Sequence, residues 1–103
     1  MALDVVILDH KGAPEGQVSI SVDVHWEIIK GAQAQGSPLL LRISDYYDDA
    51  HYSWEELGEL QRDVAALTDR FVDSEEVKST LNALIILIQR AKAEGKPVVA
   101  IAD

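Results

Sequence analysis

Residues 53–95 leave this chain the least freedom. Ser53-Trp54-Glu55-Glu56 matches a capping box, in which the serine side chain and the glutamate three residues on satisfy each other's orphan amides. Leu57, Leu60, Val64, Leu67 and Phe71 follow at helical spacing, so one stripe faces a core and the helix runs to about Asp69. Ser74 is placed to cap a second helix with Glu75 and Glu76 in its first turn, where the helix dipole favours anions. Val77, Leu81, Leu84, Ile88 and Ala91 form its apolar face, and Gly95 ends it. Ile85, Ile86 and Leu87 widen that face, which predicts burial on more than one side. Two such helices need an apolar surface to cover, and the rest of the chain must supply it.

The flanking segments read as strands. Residues 3–8 are rich in β-branched types and lead into a polar, glycine- and proline-containing loop at 9–16. From Val18 the pattern alternates, with Val18, Ile20, Val22 and Val24 facing one way and Ser19, Ser21, Asp23 and His25 the other. The two segments predict an antiparallel hairpin. Residues 26–35 read as a short helix with Trp26, Ile29 and Gln33 on one side, although Gly31 in its middle costs about 1 kcal/mol relative to alanine. The apolar run 39–43 after Pro38 predicts a central strand, residues 45–52 an ordered loop, and 98–102 a last strand after Pro97. The expected fold class is therefore α/β, with α+β as the alternative: one domain over 1–103, order ββ(α)βααβ, with helices packed on a mixed sheet of about four strands.

Composition narrows the function. Nine Lys and Arg stand against eighteen Asp and Glu, a net charge of −9, which argues against a surface that tracks nucleic-acid phosphates. The absence of cysteine rules out disulfides and thiolate chemistry. The start Met1-Ala2-Leu3-Asp4 lacks the basic and apolar regions of a secretory signal, and the longest apolar run, 83–88, is six residues. The expectation is a cytoplasmic protein with no membrane partner.

The negative charge is not spread evenly. Residues 45–63 hold seven acids (Asp45, Asp48, Asp49, Glu55, Glu56, Glu59, Asp63) and one base, Arg62, so six of the nine net charges fall in nineteen residues. Four of the six aromatic residues, Tyr46, Tyr47, Tyr52 and Trp54, lie there as well. Tyrosine and tryptophan bring large, stiff contact area to interfaces, and carboxylates receive arginine and steer a basic partner. Asp45, Tyr46, Tyr47, Asp48, Asp49, Tyr52, Trp54, Glu55, Glu56 and Glu59 are the candidate partner-binding residues. Other chemistry finds less support. The acids around His51 lack the alternation and central glycine of an EF-hand, the three histidines show no metal-ligand spacing, and no serine sits in a nucleophile elbow. No cofactor, metal or catalytic residue is expected.

Tyr46-Tyr47 followed by acids and the helix Trp54-Glu55-Glu56-Leu57-Gly58-Glu59-Leu60 resembles the inhibitory loop and helix of barstar-type ribonuclease inhibitors. Ala91-Lys92-Ala93-Glu94-Gly95 before the last strand is similar to that family's final helix and strand. The two stretches cover about a third of the chain. The paired tyrosines here follow a predicted strand, and the N-terminal hairpin has no counterpart in that family's three-stranded parallel sheet. More broadly the chain is similar to the small acidic immunity proteins that bacteria make against their own toxins. The resemblance implies a non-enzymatic inhibitor of a basic protein partner, a toxin or enzyme such as a nuclease, with Tyr46, Tyr47, Asp48, Asp49 and Glu56 facing it. Two other readings compete. A small-ligand or enzymatic pocket beside Asp45, Tyr47 and His51 is one, and a homo-oligomeric regulatory module joined through the helix at 77–88 is the other, leaving monomer and homodimer both open.

Overall fold

The computed structural model describes residues 3–102; Met1 and Ala2, read above for a leader, and Asp103 lie outside them. Four strands, β1 (Leu3–Leu8), β2 (Pro14–Ile20), β3 (Ala50–Tyr52) and β4 (Val98–Ala102), form one sheet in the order β2-β1-β4-β3. Three helices, α1 (Val22–Gln35), α2 (Leu57–Thr68) and α3 (Glu75–Glu94), cover one of its faces. Leu3, Val5 and Ile7 of β1 and Val98 and Ala100 of β4 meet Ile28, Val64, Leu81 and Ile88 from the helices in a single core. The order of elements and the helices packed on a four-stranded sheet agree with the sequence reading.

The sheet is wholly antiparallel, not mixed. The difference comes from residues 39–43. Leu39, Leu40 and Ile43 are buried, but through a 3-10 turn at Leu40–Ile43, where Arg42 N–H donates to Leu39 O. An unbroken apolar run marks burial without marking period, so it cannot separate a strand from a helical turn. The third strand is instead the three-residue segment Ala50–Tyr52, paired with β4. Antiparallel pairing of β4 with both β1 and β3 then needs no parallel crossover.

The second correction concerns α1. Its first residue is Val22, because Ser21 caps it, with Oγ accepting the Val24 N–H at 3.4 Å. Val24, Ile28, Ile29 and Ala32 face inward, so Ile29 is buried as expected while Trp26 and Gln33 are exposed. Gly36, at φ +72°, closes the helix in the left-handed conformation. The helices of the block 53–95 form as read, with the capping box at Ser53 and Glu56 and with Leu57, Leu60, Val64 and Leu67 buried. The widened face of α3 is not covered throughout: Leu87 is buried, Ile85 half-buried and Ile86 exposed, because the sheet and the other helices meet α3 on one side only. α3 buries Val77, Leu81, Leu84, Leu87, Ile88 and Ala91. Ser74 precedes α3, but its side chain makes no cap bond; its carbonyl accepts the Lys78 N–H. Among the described residues no helix is long and apolar enough to cross a membrane.

Candidate functional site

The loop after the 3-10 turn is built outward from a row of four rings. His25, on α1, is fully buried and its Nε2 lies 2.5 Å from Ile43 O. A carbonyl only accepts, so Nε2 carries a proton; Nδ1 is buried without a hydrogen-bond partner among the described residues. The His25 ring meets Trp26 edge-on at 5.1 Å and Tyr46 at 4.9 Å, and Tyr46 meets Tyr47 at 5.7 Å. Tyr46 is buried, with its hydroxyl donating to Ile20 O at 3.1 Å. The outer members of the row, Trp26 and Tyr47, are 49% and 65% exposed. Asp45 shapes the loop by accepting the Tyr47 N–H at 2.9 Å. Asp48 next to it is exposed.

Beyond Asp48 the chain is tied down. Asp49 Oδ1 accepts the Ala102 N–H at 2.8 Å, which extends the β3–β4 ladder by one step. The Tyr52 hydroxyl donates to Leu39 O at 2.6 Å inside the core, and burial holds it protonated far above the ordinary tyrosine range. Arg42 lies over the Tyr52 ring and donates to His51 O at 3.0 Å and to both carboxylate oxygens of Glu56. That bidentate contact, with the Ser53 N–H, lowers the Glu56 carboxyl from its ordinary 4.5 to about 2. Trp54 is half-exposed and pinned, its Nε1 donating to Lys92 O at 3.0 Å. Trp54, Glu55, Gly58 and Lys92 line a shallow groove.

The ten residues predicted from sequence therefore divide. Tyr46 and Tyr52 are buried in the core, where their rings and hydroxyls hold the loop and the 3-10 turn. Asp49 and Glu56 are engaged within the fold. Asp45, Tyr47, Asp48, Trp54, Glu55 and Glu59 are exposed, and among the described residues none of these four carboxylates is in an ion pair. Trp26, with Asp23 beside it on α1, joins them through the ring row. Counting from the Ser21 cap would have put Trp26 on the outer face.

No family model, curated protein or solved structure matches the chain.

Asp45, Tyr47 and His51 are all exposed and lie outside the grooves at Trp54 and at β2 and outside the apolar void of the core. The enclosed apolar void among Val5, Leu60, Val64, Leu84 and Ile88 is about 20 Å³, room for no more than a water. Among the described residues no three His, Asp or Glu side chains converge as a metal site would require.

Proposed function

We propose that the chain is a non-enzymatic binding protein of the immunity or inhibitor type, which covers a basic face on a protein toxin or enzyme. The observation that carries this reading is the pairing of exposed, immobilised aromatic rings with carboxylates that, among the described residues, are in no ion pair: Tyr47 with Asp45 and Asp48, Trp26 with Asp23, and Trp54 with Glu55 and Glu59. Rings held by their neighbours lose little entropy on binding, and carboxylates outside any ion pair can receive arginine or lysine. Of the basic side chains, Arg42 is engaged on Glu56, and Arg90 and Lys96 on Glu15 and Glu94, while Lys92 lines the groove beside Trp54 and Glu55 and donates to Gln61 Oε1. The likeness to ribonuclease inhibitors lies in this surface chemistry, because the antiparallel sheet differs from the parallel one the resemblance implies.

The test has two stages. Immobilised protein captures its partner from native extract, and the purified partner is then mixed with wild type and with Asp48→Lys in stopped flow. Charge reversal at an exposed, unpaired site slows association several-fold at low salt, and the difference shrinks as the Debye length falls to about 8 Å near physiological ionic strength. An association rate that Asp48→Lys leaves unchanged at low salt rules out this surface.

A further inference from the structure

A second face has the opposite character. Residues 16–22 and 79–89 contain no charged side chain, although a quarter of the chain is charged. The fold brings these two runs together along the free edge of β2, where Gly16, Gln17 and Val18 meet Ala83, Ile86 and Leu87 of α3 in a shallow groove whose one charged lining residue, Arg90, is paired with Glu15 and Glu94. Ile86 is 67% exposed, more than any other large apolar side chain among the described residues.

The backbone of this edge is unprotected. Leu8 N–H donates to Pro97 O, Ala102 N–H to Asp49, and Arg42 takes His51 O on the far side of β3. Alternation in an antiparallel ladder then turns Asp4 and Val6 toward β4, and Leu3, Val5 and Ile7 toward Ile20, Val18 and Gly16 of β2. The N–H and C=O groups of Gln17 and Ser19 are left pointing outward. Other edge positions are blunted: β3 is three residues long with its outward carbonyl on Arg42, Pro14 has no N–H, and Glu15 is held by Arg90 and Lys96.

We propose that this edge seats a second copy of the chain, β2 pairing with its mate about a two-fold axis at Val18. A strand related to itself by such an axis is antiparallel without adjustment. Gln17 of each protomer then meets Ser19 of the other, forming four main-chain hydrogen bonds, and Ile86 from each α3 closes over Val18 on the helix side. Charge selects this occupant. Two chains of −9 repel least through a strip whose two runs carry no charged side chain, and the carboxylates nearest it, Asp4 on Ser19 Oγ and Glu15 on Arg90 and Lys96, are already engaged and leave a basic partner little to hold.

Sedimentation velocity over a roughly 100-fold range of micromolar concentrations tests the proposal. The wild-type mass average climbs toward twice the monomer, and more steeply as salt screens the repulsion. Ile86→Glu, at an exposed site that leaves the fold intact, weakens association about tenfold or more. Ser19→Pro removes the outward N–H, together with the exposed hydroxyl bonded to Asp4 and Gln17, and does the same, with circular dichroism showing an unchanged fold and Ser19→Ala, which loses the hydroxyl alone, still associating. A wild type that stays monomeric throughout overturns the proposal, as does self-association that survives Ile86→Glu or Ser19→Pro.

Discussion

Gly31→Ala and Gly58→Ala are the same chemical change in two helices, and they carry opposite signs. In an open helix the substitution gains about 1 kcal/mol, from the glycine's lost backbone freedom. Gly58, at the start of α2, has nothing within 4 Å of the position a Cβ would take, so most of that gain is realised. Gly31 faces α2 at close approach: its Cβ would lie 2.5 Å from Leu67 Cδ1 and 3.1 Å from Phe71 Cε2. Leu67 is completely buried and Phe71 closes the other side, so the leucine has nowhere to turn. Overpacking of this kind costs about 1–3 kcal/mol, which exceeds the propensity gain and leaves a net loss of about 1 kcal/mol. For a domain of this size that lowers the melting temperature by about 4–8 °C, while Gly58→Ala raises it by a few degrees. Urea titrations and thermal melts by circular dichroism read both. If Gly31→Ala melts at or above the wild type, the α1–α2 contact is looser than these distances require.

Two further substitutions separate scaffold from surface. Tyr52→Phe deletes a buried hydroxyl and strands the Leu39 carbonyl, costing about 1–2 kcal/mol in chemical denaturation, whereas Tyr47→Ala stays within about 0.5 kcal/mol of wild type; equal losses would contradict the division between core and exposed tyrosines. Glu56 titrates lower in the folded state than its ordinary 4.5, so its contribution is present above that pH and disappears as pH falls toward about 2. The stability gap between wild type and Glu56→Gln should therefore be open near neutrality and closed in strong acid, and a gap independent of pH would remove the Arg42 contact from the account.

The long helices were legible because the signals agree: the Ser53 capping box, the stripe from Leu57 to Leu67 and the stop at Gly95 all point to one answer. The start of α1 was not, because Val18, Ile20, Val22 and Val24 alternate without a break while Val24 and Ile28 are also one helical turn apart. Ser21 decides between the two, by bonding the Val24 amide. β3 gave no period because three residues are too few to show one. At the candidate site, sequence located the region but could not say which tyrosine of the pair turns inward. That depends on the distance from Tyr46 to Ile20 O and on the His25 ring, both supplied by elements far away in the chain.

The place of β4 bears on how the protein is made. It lies between β1 and β3, yet it follows both of them and all three helices in sequence. A ribosome adding about 5–20 residues per second will have released every other element before residues 98–102 emerge. Until then β3 has no partner strand, β1 shows an open edge, and the apolar faces of α2 and α3 have only part of the sheet to cover. The closing event is thus a single insertion at the centre of the sheet, and a nascent chain halted short of Val98 would present unpaired strand edges to chaperones and proteases.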